Sequence, residues 1–255
     1  MNASSPNVLS ASPIESRRFG LQVARGVLLG SEPPDAVLTD IKILRPDLAI
    51  FRCAAGDVSQ ISSLNSNGLT VIHADTLVYY GTQLEGRPQE AQPLPEIRIA
   101  EPADSEALAS IIRESFADYR NHYHANPRLS REAILEGYVE WALGNATQEA
   151  GAKQTWMVCA EGKPASFATC RTCRDEVEII LNATARRWAG RGFYSQLLSF
   201  LIGHYGQTGY SRLLISTQIW NYSVQRIWTR EGMMIDRAYD TYHVNVPHEF
   251  WDKAP

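Results

Sequence analysis

Apolar residues recur along this chain with two periods, every second position in some segments and every third or fourth in others, which predicts a mixture of strands and helices. In the first third of the chain, strand-like and helix-like runs follow one another. They lie at residues 21–28, after Pro33-Pro34-Asp35, at 48–53, at 57–65 and at 69–80. This alternation predicts a small α/β domain over residues 17–81.

A break in the pattern follows this domain. Residues 81–95 read GTQLEGRPQEAQPLP, with three prolines, two glycines and no apolar periodicity, so we expect a linker over 82–95. The first residues, 1–16, are rich in Ser, Asn and Pro and are expected to form a flexible N-terminus.

The periodic pattern resumes at residue 96 and predicts a second, larger α/β domain over 96–255. Its elements are expected in the order β-α-α-β-β-β-α-β-α-β. They are a strand at 97–99, a helix after Pro102-Ala103-Asp104, a helix at 131–143, strands at 155–160, 165–172 and 176–183, a helix at 192–205, a strand at 213–217, a helix at 223–230 and a last strand through Tyr242.

The charge balance limits the class of partner. The chain of 255 residues carries 24 Lys+Arg against 28 Asp+Glu, a formal net charge of -4, so neither nucleic acid nor an anionic membrane surface is the expected partner. A small molecule fits better. The absence of a signal-peptide pattern and of a long apolar run makes the cytoplasm the expected location. The sequence leaves a monomer and a homodimer open.

One pair of cysteines has a spacing found in metal and redox sites, Cys170-Arg171-Thr172-Cys173. No second pair follows at the spacing of a zinc site, and the pair lies in a strand pattern. We therefore expect ordinary strand packing for these cysteines, and no metal.

A pair of glycines opens the helix predicted at 192–205. Glycine at a helix start lets backbone N–H groups approach a phosphate closely, and the helix dipole favours the negative charge. Gly190-Arg191-Gly192 lies immediately before Phe193, so the segment suits a pyrophosphate. Taken alone, glycines before a helix are more often ordinary loop residues.

The glycine loop, together with the element order, resembles the GNAT N-acetyltransferases. The resemblance implies a mixed twisted sheet flanked by helices, with acetyl-CoA as the co-substrate, held where the loop starts its helix. The family loop reads Q/R-x-x-G-x-G/A, and we compare it with the six residues from Ala189 to Tyr194, where the central glycine matches and both end positions depart.

A narrower resemblance extends over most of the chain. The run Ala189-Gly190-Arg191-Gly192, the segment 215–221 and the final Tyr239-Asp240-Thr241-Tyr242 are similar to the dTDP-fucosamine acetyltransferases, which act on amino-sugar nucleotides. The segments 18–21, 74–80 and 124–127 are also similar to that group. The resemblance implies an amino-sugar nucleotide as the acceptor.

The resemblance also implies which residues hold the cofactor and which supply a proton to the departing thiolate. The implied cofactor-binding residues are Ala183, Thr184, Ala189, Gly190, Arg191, Gly192, Phe193, Tyr194 and Asn221. Trp228 stands at the catalytic position where the group has a proton-donating tyrosine, and an indole N–H does not release its proton near neutral pH. Tyr222, Tyr194 and Ser223 are candidate substitutes, and Ser223 alternatively caps a helix.

Two further roles are open. Glu178 falls where some GNAT enzymes carry a glutamate base, and it could equally belong to the solvated face of a strand. Tyr119, His122 and His124 lie around a loop that borders the acceptor site in the resembling group, and each histidine could instead be an exposed loop residue. Three functions stay open: acetylation of an amino-sugar nucleotide, acetylation of another small amine, or a catalytically silent acyl-CoA-binding module.

Overall fold

A computed structural model describes residues 7–86, 96–146 and 152–252. They form ten strands and eight α-helices: β1 (Leu9–Ala11), α1 (Pro13–Phe19), β2 (Val23–Val27), α2 (Ala36–Leu44), β3 (Leu48–Ala54), α3 (Ile61–Ser66), β4 (Thr70–Gln83), β5 (Ile97–Ile99), α4 (Ser105–Phe116), α5 (Arg131–Ala146), β6 (Lys153–Ala160), β7 (Lys163–Cys173), β8 (Glu176–Thr184), α6 (Phe193–Gln207), β9 (Arg212–Gln218), α7 (Tyr222–Arg230), β10 (Met234–Asn245) and α8 (Glu249–Asp252). None of the described helices is long and apolar enough to cross a membrane.

The described residues divide into two compact units. The first contains 7–77, 121–134 and 237–252, and the second contains 78–86, 96–120, 135–146 and 152–236. The expected linker at 82–95 is therefore not where the two units separate, because the division falls inside β4, and β4 itself extends to Gln83. Most of that linker, residues 87–95, lies outside the described residues.

The first unit is a mixed sheet with strand order β1-β2-β3-β10-β4. β2 and β3 are parallel, whereas β10 is antiparallel to β3, from Tyr239↔Ala54 to Asn245↔Leu48. Its core contains Phe51, which stacks on Tyr242, and Leu9 from β1. The last strand of the chain thus completes the domain in which the chain begins.

The expectation of a flexible N-terminus is wrong from Leu9 onward, because Leu9 is 1% exposed and its strand pairs with β2. Its backbone N–H donates to the buried carboxylate of Asp40 at 2.7 Å. Residues 1–6 lie outside the described residues.

The second unit contains strands in the order β4-β9-β8-β7-β6-β5, with helices packed on the sheet. β8 and β9 are parallel and the pairs from β5 to β8 are antiparallel. α4 packs against β7 and β8, and α6 packs against the strands from β6 to β9. Cys170 and Cys173 both lie in β7, the first buried and the second exposed.

Candidate active site

The two parallel strands of the second unit separate towards their carboxyl ends. Their described pairing runs from Glu176↔Arg212 to Ile179↔Ile215, whereas β8 continues to Thr184 and β9 to Gln218. β8 stays paired with β7 on its other side as far as Ser166↔Thr184. On the side that faces β9, the last residues of β8 therefore lie beyond the described pairing, and an opening lies between the two strand ends.

The loop after β8 brings two left-handed glycines to the start of α6. Gly190 has φ of 75° and Gly192, the N-cap residue, has φ of 83°. A Cβ at either position would meet no described atom within 4 Å. Glycine is required here for backbone conformation rather than for space. The first N–H groups of α6 have no partner within the helix, which is the arrangement that suits an anion.

The backbone conformation of the glycine loop indicates how its residues align with the family motif. Positions four and six of Q/R-x-x-G-x-G/A coincide with the two left-handed glycines when the motif begins at Arg187 and ends at Gly192. In that register every specified position matches. The alignment that starts at Ala189 is therefore wrong by two residues: Arg187 is the first residue of the motif, and Phe193 and Tyr194 follow it as the first residues of α6.

The buried ring of Trp188 is the centre of the side-chain contacts in this loop. It is 6% exposed, and the guanidinium groups of Arg187 and Arg191 lie 5.3 and 4.8 Å from the centre of its ring. Both arginines are themselves exposed, so the ring holds two cations at the surface beside the helix start. The buried indole nitrogen of Trp188 has no hydrogen-bond partner among the described residues. The two exposed guanidinium groups suit a phosphate-bearing ligand.

The first turn of α6 contains residues that face the protein interior. Phe193 packs edge-on against Trp188 with ring centres 5.5 Å apart, and the side chain of Tyr194 is buried. Ser195, with Ser199 one turn later, donates to the carboxylate of Glu231 at the end of α7; the second of these bonds measures 2.5 Å. These contacts fix α6 relative to α7.

Trp228 does not lie at an open surface. Its side chain is fully buried, its ring packs edge-on against Tyr80, and its N–H donates to the phenol oxygen of Tyr194 at 2.8 Å. Burial raises the pKa of the Tyr194 phenol well above its ordinary value. Tyr194 is therefore a poorer proton donor than an exposed tyrosine, and its predicted contact with the cofactor is limited to its backbone.

Asn221 occupies the N-cap position of α7, three residues after the end of β9. Its side-chain amide donates to the hydroxyl of Thr217 at 3.0 Å, so it lies over the end of β9. The alternative that Ser223 is the N-cap is wrong, because Ser223 is the second residue of the helix and donates to Asn221 at 3.3 Å. Tyr222 is 62% exposed and lines a cavity with Tyr80 and other residues of α7.

The end of β8 carries the two remaining predicted cofactor residues. Ala183 is buried, and its carbonyl accepts from the hydroxyl of Ser166. The carbonyl of Thr184 accepts from Ser115 on α4 at 3.2 Å, and its hydroxyl contacts that of Ser166 at 3.0 Å. These bonds hold the strand end in place beside the opening.

Glu178 lies on β8 before the strands separate, opposite Arg171 and Leu214. Its carboxylate accepts from the guanidinium of Arg171 at 2.5 Å, and half of the Arg171 side chain is exposed. This arrangement favours the structural alternative, a partly exposed ion pair between neighbouring strands.

Tyr119 lies after α4 and reaches the end of β9. Its hydroxyl donates to the side-chain oxygen of Gln218 and lies 3.3 Å from the hydroxyl of Thr217. Its ring contacts Trp220, whose side chain is 40% exposed. The hydroxyl of Thr217 thus lies within hydrogen-bond distance of both Tyr119 and Asn221. Tyr119 therefore lies beside the opening, where an acceptor-site residue is expected.

His122 belongs to the core of the first unit rather than to an open acceptor site. It is buried, and its Nδ1 lies 2.9 Å from Nε2 of His243. Burial and the charges of Arg52 and Arg25 hold its pKa well below its ordinary value. His124 Nδ1 accepts from the backbone N–H of Asn121 at 3.2 Å and closes a turn. Sequence spacing alone could not find His243, which lies 121 residues away from His122.

A mixed sheet in which two parallel strands separate beside a glycine loop and a helix start is the arrangement of the acyl-CoA N-acyltransferase fold. Residues 109–233 match the model of the Acetyltransferase (GNAT) family. This segment, which includes the opening and the glycine loop, matches the GNAT acetyltransferase family, and the fold is GNAT-like.

Known proteins resemble the chain at several levels. It is 26% identical over 152 residues to the spore coat polysaccharide biosynthesis protein SpsD of Bacillus subtilis, and this match covers 60% of the chain and 51% of SpsD. The chain thus spans about half the length of that relative. A conserved protein of unknown function from Staphylococcus epidermidis has a TM-score of 0.61 at 9% identity, covering 96% of this chain and 94% of its own. A GCN5-related N-acetyltransferase from Kribbella flavida has a TM-score of 0.55 at 12% identity, covering 89% and 82%.

Proposed function

We propose that this protein transfers an acetyl group from acetyl-CoA to a primary amine of a small acceptor, an amino-sugar nucleotide. The observation that carries the proposal is the opening between β8 and β9, beside a loop that fits R-x-x-G-x-G with both glycines left-handed. An extended thioester with a pyrophosphate matches these two features together.

The cofactor contacts are assigned from the loop outward. The first N–H groups of α6 bind the pyrophosphate, and Arg187 and Arg191 supply positive charge beside it. The pantetheine arm enters the opening between Ala183 and Thr217, with the amide of Asn221 as a polar contact at the end of β9. Backbone N–H groups at the end of β8 polarise the thioester carbonyl.

The acetyl group passes directly from acetyl-CoA to the acceptor amine. The neutral amine nitrogen attacks the carbonyl carbon, the C–S bond of the tetrahedral intermediate breaks, and CoA leaves as the thiolate. The nitrogen gives up its proton to water, because Glu178 is engaged by Arg171. A thiol has a pKa of about 8.5, so its thiolate leaves without prior protonation at a reduced rate. Neither a metal nor a covalent intermediate takes part in this route.

The acceptor class is supported by resemblance. Segments throughout the chain are similar to the amino-sugar nucleotide acetyltransferases, and the relative SpsD is a spore coat polysaccharide biosynthesis protein. Tyr119 and Trp220 present aromatic surface at the end of β9, where an acceptor would meet the thioester. Other small amines, such as free amino sugars, are the alternative acceptors within the same chemistry.

The test is release of free thiol from acetyl-CoA over a panel of amino-sugar nucleotides, free amino sugars and other small amines. We expect release with an amino-sugar nucleotide, and its loss when Gly190 is replaced by a bulky residue. Acetyl-CoA binding without release for any amine would overturn the enzymatic proposal. Release with free amino sugars alone would reject the nucleotide-linked acceptor.

A second function, a silent acyl-CoA-binding module, is favoured by the burial of Trp228 at the expected position of the proton donor. The variant Trp228→Tyr separates the two. A silent module would gain activity with tyrosine at this position, whereas the proposed enzyme, which does not need an acid there, would change by less than about tenfold. Folding is checked by the far-ultraviolet circular dichroism spectrum of both proteins.

A further inference from the structure

A cavity on α7 contains no residue of the glycine loop or of α6 in its lining. It has a volume of about 460 Å³ and is lined by Tyr80, Tyr222, Gln225, Arg226, Thr229 and Arg230. We propose that this cavity binds a nucleoside diphosphate, with the base on Tyr222 and the two phosphates on Arg226 and Arg230.

The position of the cavity follows from helix periodicity. Trp228 and Glu231, three residues apart, share the side of α7 that contacts Tyr194, Ser195 and Ser199 on α6. Arg226 and Arg230 are two positions from Trp228 in either direction and so lie on the opposite side of the helix. A ligand there does not compete with a pyrophosphate at the start of α6.

Charge supports an anionic ligand. The segment Tyr222–Arg230 contains two arginines and no acidic residue, in a chain whose formal net charge is -4. Ion pairs of the described residues engage other arginines, namely Arg25, Arg98, Arg113, Arg171, Arg186 and Arg212. Within the described part of the chain, Arg226 and Arg230 are thus exposed cations without an acidic partner, at a spacing that allows both to contact one diphosphate.

The rest of the cavity supports a planar group. Tyr222, four residues before Arg226, continues the same stripe of α7 and is 62% exposed. Gln225 is held in place because it accepts from the hydroxyl of Tyr80 at 3.3 Å and donates to the carbonyl of Ile219 at 2.8 Å. Gln225 therefore forms a fixed inner wall of the cavity. Along its outer side, one aromatic ring is followed by two guanidinium groups, which is the order of the base and the two phosphates in a nucleoside diphosphate.

The ligand has two sources, a free nucleotide or the nucleotide part of a sugar nucleotide, and only the second rests on the proposed function. Binding of dTDP to the full chain is measured by titration calorimetry with CoA present at saturation. We expect one dTDP site, weakened about tenfold or more by Arg226→Ala or Arg230→Ala. Tyr222→Ala weakens it about 5- to 100-fold, while Tyr222→Phe keeps the ring and the affinity.

Arg131→Ala, which removes an exposed arginine of another helix, is the matched control and leaves dTDP binding unchanged. Equal affinity for inorganic pyrophosphate and dTDP would reject the stacking of the base. Binding abolished by CoA, or insensitive to all three α7 variants, would overturn the site. If an amino-sugar nucleotide displaces dTDP, the ligand is the nucleotide part of a sugar nucleotide. If it does not, the ligand is a free nucleotide. Because no turnover is needed, a failure here is distinct from a failure of acetyl transfer.

Discussion

The indole N–H of Trp228 donates to the phenol oxygen of Tyr194, joining α7 to the first turn of α6 inside the protein. A residue expected to face the departing thiolate is instead a buried link between the two helices that carry the proposed cofactor contacts. The carboxylate of Glu231 forms a second link, to Ser195 and Ser199.

Trp228→Phe removes both the hydrogen-bond donor and part of a packed side chain. We expect the free energy of unfolding to fall by about 2–4 kcal/mol, because the Tyr194 oxygen loses its partner and a cavity forms. Urea denaturation measures the change. Tyr222→Phe, on the exposed side of the same helix, is the control and should stay within about 0.5 kcal/mol. An equally small effect of Trp228→Phe would contradict the assigned link.

Gly190→Ala and Gly192→Ala place a Cβ on left-handed backbone. Each should cost about 1–2 kcal/mol of stability and distort the phosphate-binding N–H groups, raising KM for acetyl-CoA about tenfold. Gly162, in the turn between β6 and β7, has φ of 70° and provides a matched control. Gly162→Ala should lose similar stability with KM unchanged. Steady-state kinetics would argue against the loop assignment if all three variants raised KM equally.

Glu178→Gln tests whether this carboxylate accepts the amine's proton. We expect activity to stay within about threefold and the unfolding free energy to fall by less than about 1 kcal/mol, because the pair with Arg171 is partly exposed. Arg171→Gln breaks the same ion pair and serves as the control. A loss of about 10²–10⁴-fold in kcat/KM for Glu178→Gln alone, with a changed pH profile, would instead identify Glu178 as the base.

The buried pair His122 and His243 should make stability depend on pH. Burial lowers the pKa of His243 from 6.5 to about 4, and that of His122 falls in the same direction. A lowered folded-state pKa means that stability is complete above about pH 6.5 and declines as the pH falls towards 4. The loss from His243 alone is about 3 kcal/mol across that window.

Urea denaturation between pH 7.5 and 4 measures this decline in wild type and in His243→Gln. The variant should show a shallower decline because one buried titrating group is gone. His248→Gln, which removes an exposed histidine, should follow wild type. Parallel curves for wild type and His243→Gln would show that other groups cause the acid sensitivity.

Much of the second unit is predictable from local patterns. Strands such as β8 and β9 and the helix after Gly192 have clear periodicities, so their order and the glycine loop follow from the sequence, and the GNAT-like fold is confirmed. The match of Arg187 to the family loop is also predictable, since the motif is continuous in the sequence, and only an alignment starting at Ala189 leaves it out.

The remaining errors involve partners distant in sequence. The burial of Leu9 depends on β2 and Asp40, which a Ser- and Pro-rich segment does not reveal. Likewise, the placement of Trp228 depends on Tyr194, 34 residues away, and that of His122 depends on His243. A local pattern indicates that such a residue is polar or aromatic, but its role depends on what the fold brings against it.

The position of β10 beside β3 has a consequence for dividing the gene. β10 is near the end of the chain, yet it pairs with β3 along Tyr239–Asn245. A fragment ending at residue 81 would expose the edge of β3, and a fragment starting at residue 96 would carry β10 without that neighbour. Both would present unpaired strand edges, which promote aggregation. A single cut therefore does not yield two independently folding halves, and the first unit can be transplanted only with the segments before β4 and the segment that contains β10 together.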